Sequence, residues 1–185
     1  MTQKILKNWY IGKAKVKLDR LLKFYTPNEK VLDIGSGNGG LSLLLKNNNI
    51  NISNVDIKNK SFFKEIEIVI YDGKTFPFQD KQFDTVQIIT VLHHIKDQIP
   101  VIKEAIRVGK RIIIMEDIYD NLLQKYFTWY CDSLNNWEFI GHPHTNRNDL
   151  EWRKLFNELN LEVEKVEYYK FLLFFKQVTY VLKIK

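Results

Sequence analysis

Half of the chain's eight glycines fall within six residues, at the end of Val31-Leu32-Asp33-Ile34-Gly35-Ser36-Gly37-Asn38-Gly39-Gly40. A short apolar run that empties into glycines turns sharply, and the missing side chains let a ligand approach the backbone closely. Residues 41–46 then read as helix, so the segment predicts strand, tight turn and helix in succession. Residues 50–56, 65–71, 83–90 and 111–116 read as further strands, with Ile66, Ile68, Val69 and Ile70 supplying β-branched side chains to the run 65–71. Residues 99–108 read as a helix between the last two. Strands alternating with helices predict an α/β fold, with a doubly wound, mostly parallel sheet.

The flanks follow other patterns. Leu6, Trp9, Tyr10, Ala14, Leu18, Leu21, Leu22 and Tyr25 recur at helical intervals, which predicts a helix over 4–25 that Pro27 ends. Ile118, Leu122, Tyr126, Tyr130 and Leu134 lie four apart and predict one face of another helix, followed by a polar loop over 141–148. Asn148 with Glu151 has the spacing of a capping box, and Leu150, Leu155, Leu159 and Leu161 are expected to form that helix's apolar side. Runs 162–171 and 178–184 predict an antiparallel hairpin at one sheet edge. A length of 185 residues suits a single domain over 1–185. Within it, 1–27 is the N-terminal helix, 28–117 the ligand-binding core, 118–148 an insert, and 149–185 the last helix and hairpin.

Composition narrows the setting. The hydrophobic fraction of 45% and charged fraction of 27% are those of a globular protein, and no apolar stretch approaches the roughly 20 residues of a membrane span. The charged N-terminus has no apolar signal-peptide core, and a lone Cys131 makes no internal disulfide, so a cytoplasmic setting is expected. No metal site is expected, with His142-Pro143-His144 read as a polar loop. The formal charge of +6 comes entirely from residues 1–30, where Lys4, Lys7, Lys13, Lys15, Lys17, Arg20, Lys23 and Lys30 face only Asp19 and Glu29. Such a run suits an anionic partner or is a solvated helix face. Nucleic acid is possible but not favoured, because Trp9, Tyr10, Phe24 and Tyr25 do not interleave with the cations as a stacking platform does.

Gly35, Gly37 and Gly40 also satisfy the dinucleotide pattern G-x-G-x-x-G. Asp33 argues against that use, since a carboxylate two residues before the turn repels a pyrophosphate and attracts a cationic ligand. Here the chain resembles the class I S-adenosylmethionine (SAM)-dependent methyltransferases, whose first motif is an acidic residue followed by G-x-G-x-G, met by Asp33, Gly35, Gly37 and Gly39. The resemblance extends over about residues 28–117, through Phe76-Pro77-Phe78, Phe83-Asp84 and the turn Thr90-Val91-Leu92-His93-His94-Ile95, which is similar to that of small-molecule methyltransferases of the quinone-biosynthesis type. Val108-Gly109-Lys110 departs from it, being shorter than the family's Pro-Gly-Gly turn. The resemblance implies a Rossmann-like seven-stranded sheet with SAM as cofactor. It places the cofactor on Asp33, Gly35, Ser36, Gly37, Asn38 and Gly39, on Asp56 and Ile57 at the ribose, on Asp72 and Gly73 at the adenine, and on Thr90 near the methionine end. Asp84 is expected to be structural, fixing the start of its strand.

Methyl transfer needs alignment, exclusion of water and sometimes a proton acceptor, so no dedicated nucleophile is required. His94, His93 and Glu116 are the candidate catalytic residues, with His142, His144 and Asp117 as further bases; Glu116 and Asp117 are expected at the rim of the pocket. The aromatics of 118–148, Tyr126, Phe127, Trp129, Tyr130 and Trp137, are expected to enclose a small-molecule acceptor. An RNA or protein methyltransferase using the basic N-terminal helix, and a SAM-binding module without catalysis, remain the alternatives.

Overall fold

The computed structural model describes residues 3–126, 145–171 and 175–185. Its elements in chain order are α1 (Gln3–Leu21), β1 (Lys30–Ile34), α2 (Gly40–Asn47), β2 (Asn51–Asp56), β3 (Val69–Ile70), β4 (Phe83–Ile89), α3 (Ile99–Val108), β5 (Gly109–Ile118), α4 (Asp149–Glu158), β6 (Leu161–Phe171) and β7 (Phe175–Ile184). The strands form one seven-stranded sheet in the order β3-β2-β1-β4-β5-β7-β6. The α/β class, the seven strands and the antiparallel terminal pair are as expected. The chain divides into two compact units, Met1–Gln87 with Arg107–Gly109, and Ile88–Ile106 with Lys110–Lys185.

In the first unit β1 and β2 run parallel in the register Lys30↔Asn51 to Ile34↔Val55, which brings the two strand ends side by side. Val31, Leu32, Ile34, Leu45 and Val55 are buried around them. Helix α1 stops at Leu21, and a 3-10 turn, Leu22–Phe24, carries the chain into extended backbone at Tyr25, short of the expected 4–25. The chain is therefore extended before Pro27, as the residue preceding a proline favours, and the Thr26 amide donates to Glu29 Oε2 at 2.8 Å. The third strand is also shorter than its β-branched run predicts. Only Val55↔Val69 and Asp56↔Ile70 pair, and the Glu67 carbonyl accepts from the Asn54 side chain at 3.0 Å in place of a ladder bond. Asp84, expected to fix the start of its own strand, instead holds the start of β1, its Oδ2 accepting the Lys30 amide at 3.1 Å.

In the second unit β7 lies antiparallel to β5, from Arg111↔Lys183 to Ile118↔Lys176, and β6 lies antiparallel to β7. Ile118 ends β5 as a buried residue; it does not open the expected helix, whose described part covers only residues 122–126. Tyr130, Leu134 and the aromatics Phe127, Trp129 and Trp137 lie outside the described residues, as do Cys131, His142 and His144. The capping box of α4 is present, with Glu151 N donating to Asn148 Oδ1 at 2.9 Å and Asn148 N to Glu151 Oε2 at 2.8 Å. Its buried face differs from the leucine pattern. Trp152, Leu155 and Phe156 go inside while Leu150 is 78% exposed, because the two large rings one turn apart bury more area than Leu150 would. Among the described residues no helix is long and apolar enough to cross a membrane.

Candidate functional site

The glycine turn after β1 is built by left-handed backbone: φ is +72° at Gly35, +54° at Gly37 and +75° at Gly39. At Gly39 a Cβ would also fall 2.7 Å from Ser61 Oγ, so glycine is required there twice over. At Gly37 a Cβ would meet only the Gly35 carbonyl at 3.8 Å, which leaves the outer side of the turn open to a ligand. The turn is internally bonded, Gly39 N to Ser36 O at 3.0 Å and Ser36 Oγ to Asp33 O at 3.1 Å, while Asn38 Oδ1 accepts Gly40 N at 2.9 Å at the start of α2.

The structure brings Asp56 to this turn. Its Oδ2 accepts the Gly37 amide at 3.0 Å and its Oδ1 the Lys58 amide at 3.3 Å. A carboxylate accepts about four hydrogen bonds, so Asp56 retains acceptor capacity. Next to it Ile57 is 56% exposed, and its Cγ2 lies 3.9 Å from where a Gly73 Cβ would be. An exposed aliphatic side chain against a glycine with φ +81° makes a flat apolar shelf beside a carboxylate. Asp72 is exposed and follows β3 by two residues; its Oδ1 accepts the Lys74 and Thr75 amides at 2.8 and 3.0 Å. Those amides, Thr75 first, hold its carboxyl below the usual carboxylate range.

Asp33 has a different environment from the one its attraction for a cation suggests. It is buried, with Ser42 Oγ donating to Oδ2 at 2.7 Å and Gln87 Nε2 donating to Oδ1 at 2.8 Å. The hydroxyl of Tyr25 donates in turn to Gln87 Oε1. Burial pushes the carboxyl up to about 6 despite those two donors. Its direct bonds therefore lock β1 to α2 and β4, and only its charge acts beyond them. Ser42 and Gln87 were not among the expected site residues. Gln87 had left a signal, being an amide in the apolar run Val86-Gln87-Ile88, where a buried side chain needs a partner.

In the second unit Thr90, the residue after β4, has φ +56° although it is not glycine, and its amide donates to Met115 O at 2.7 Å. Glu116, expected at a rim, is instead 1% exposed. Its Oε1 accepts the Val91 and Leu92 amides at 2.9 and 2.7 Å, and its Oε2 lies 2.6 Å from His93 Nδ1. Three donors on one buried carboxylate make Glu116 the anchor of the turn after β4, not a solvent-facing base. Asp117 is half-buried and accepts from Gln177 Nε2 at 2.8 Å. His93 is buried as well, while His94, its ring centroid 4.1 Å away, is partly exposed. Thr145 and Gln98, unsuspected from sequence, clamp the same turn: Thr145 Oγ1 donates to Ile95 O at 2.9 Å and Gln98 Nε2 to Leu92 O at 3.0 Å. Among the described residues no group of histidine, cysteine, aspartate or glutamate side chains gathers as a metal site would.

Residues 32–112 match the family model described as a methyltransferase domain. Over 125 residues the chain is 29% identical to the demethylmenaquinone methyltransferase of Thermotoga maritima, an alignment covering 61% of this chain and 55% of that protein. The chain thus spans about half the length of the curated relatives it matches. Among solved structures it is similar to a SAM-dependent methyltransferase from Aquifex aeolicus, with a TM-score of 0.66 and 15% identity over 94% of this chain and 98% of that one. It is also similar to magnesium protoporphyrin IX methyltransferase from Synechocystis PCC 6803 with bound SAH, with a TM-score of 0.67 and 15% identity over 94% of this chain and 83% of that one.

Proposed function

We propose that the chain transfers a methyl group from SAM to a small-molecule acceptor, a reading supported by the match of residues 32–112 to the methyltransferase domain model. The observation that carries this is the joint between Gly37 and Asp56, which sets a carboxylate with spare acceptor capacity beside an open glycine turn. Asp56 takes the ribose hydroxyls. The shelf of Ile57 and Gly73 lies under the adenine, with Asp72 and the Gly73 amide at its polar edge. The backbone of Gly35, Ser36, Gly37, Asn38 and Gly39 faces the amino-acid portion. Bound SAM supplies a methyl group activated by a positively charged sulfur. An electron pair of the acceptor would form the new bond to that carbon, and the pair of the old bond would leave with the sulfur. The protein aligns the partners and keeps water out. Where the acceptor must lose a proton, partly exposed His94 takes it, and the Glu116–His93 pair holds the turn that carries it.

A small acceptor is supported by the charge neutrality of residues 31–185 and by the relative named for a quinone precursor. Calorimetry with SAM, S-adenosylhomocysteine and NADH tests the cofactor; heat with the first two and none with NADH is expected. Tight NADH binding without SAM binding refutes the assignment. Label from methyl-tritiated SAM is then expected in an extractable hydroquinone and not in RNA, and the reverse outcome refutes the small-molecule acceptor.

A further inference from the structure

Helix α1 buries Ala14, Leu18 and Leu21 and packs on α2, where a Cβ added to Gly40 would sit 3.5 Å from Ala14 Cβ. Its other side is not the polar surface such a helix ordinarily shows. Ile5, Trp9 and Val16 are 55%, 43% and 50% exposed. At 3.6 residues per turn they fall within about 40° of one another, on the side opposite the buried stripe. Gly12 lies between them and is exposed too, and a Cβ there would meet nothing within 4 Å. The helix therefore has two apolar stripes, and the core uses one.

Charge says what the second stripe meets. The helix carries Lys4, Lys7, Lys13, Lys15, Lys17 and Arg20 against one acid, Asp19. On the same helical wheel Lys13 and Arg20 flank the exposed stripe on one side, and on the other Asp19 borders it with Lys15 and Lys4 beyond. Long cationic side chains bordering a narrow apolar stripe can lay their stems along it and hold their heads among anionic groups. Lys13 shows that reach, its Nζ lying 3.7 Å from the centroid of the Trp9 ring. Tryptophan suits a boundary where one side is apolar and the other wet. A nucleic acid would use the cations but gain little from Ile5 and Val16.

We propose that α1 seats the protein on an anionic lipid surface, with Ile5, Trp9 and Val16 in the headgroup boundary and the flanking cations on the phosphates. The helix lies on the bilayer without crossing it. The inference does not depend on methyl transfer, since surface binding is read without SAM. Flotation of the full chain with vesicles of phosphatidylcholine, alone or mixed equally with phosphatidylglycerol, tests it. Binding to the anionic vesicles and negligible binding to the neutral ones is expected. Ile5→Ser with Val16→Ser should lower the partition coefficient by about tenfold or more, and Lys13→Glu or Lys15→Glu by about fivefold or more for each charge lost. All these sites are exposed, so thermal melts should match the parent's. If anionic vesicles leave the protein in solution, or if the stripe variants bind as well as the parent, the proposal fails. Stronger binding to single-stranded RNA than to vesicles would assign the helix to nucleic acid. A self-association that the stripe variants abolish, without vesicle binding, would assign it to a second copy of the chain.

Discussion

In Asp33→Asn the side chain keeps its shape and loses its charge. Asn accepts from Gln87 Nε2 through Oδ1 as Asp does, and its Nδ2 can donate to Ser42 Oγ where the carboxylate accepted. What changes is the cost of holding a carboxylate out of water. Burial takes the Asp33 carboxyl from 3.8 to about 6, so between those values the folded state binds more protons than the unfolded state. Stability from this group is therefore fully present below about pH 3.8 and is lost as pH rises through about 6. The loss is at most about 3 kcal/mol. The variant resembles the protonated acid at every pH. Urea denaturation of both proteins from pH 4 to pH 8 is the assay. Asp33→Asn should be more stable by about 1–3 kcal/mol above pH 6, and the two curves should converge toward pH 4. If the variant is the less stable at pH 8, the ionised carboxylate is favourably solvated inside the fold and burial does not govern it. Repeating the series with SAM adds a second readout: a cationic ligand should stabilise the parent more than the variant, because only the parent offers it a charge.

Asp56→Ala should weaken SAM binding by about one to two orders of magnitude, the worth of hydrogen bonds to a charged group; calorimetry giving an unchanged dissociation constant in a folded variant places the ribose elsewhere. Gly39→Ala should destabilise by about 1–3 kcal/mol, because its Cβ meets Ser61 Oγ at 2.7 Å in backbone with φ +75°; a melt unchanged from the parent would mean the turn yields. Glu116→Gln exchanges an acceptor oxygen for a donor among three donor contacts, so a loss of about 3 kcal/mol is expected, with hydrogen exchange accelerated at Val91 and Leu92 if Glu116 is their anchor. Trp137→Ala and Tyr130→Ala should lower turnover while SAM affinity stays within about threefold. Loss of SAM binding in those variants, or turnover unchanged, removes the insert from the acceptor site.

What can be read along the chain is what depends on neighbours along the chain. The strand that empties into Gly35, Gly37 and Gly39, the alternation that makes an α/β sheet, and the Asn148–Glu151 cap are local patterns, since backbone dihedrals and hydrogen bonds within one turn set them. The place of Asp56 was legible for the same reason, as an acid at the end of the second strand. Its bond to Gly37 follows only from the parallel pairing of β1 with β2. Other residues changed meaning once distant segments met. Asp33 looked like a charge offered to a ligand, until Ser42 and Gln87 closed around it from residues 9 and 54 positions away. Glu116 looked like a rim carboxylate, until the turn after β4 set two amides and His93 on it. A carboxylate's role is decided by which donors reach it first. Residue type and spacing place the acid, but burial and long-range hydrogen bonds determine whether it faces a ligand or holds the fold.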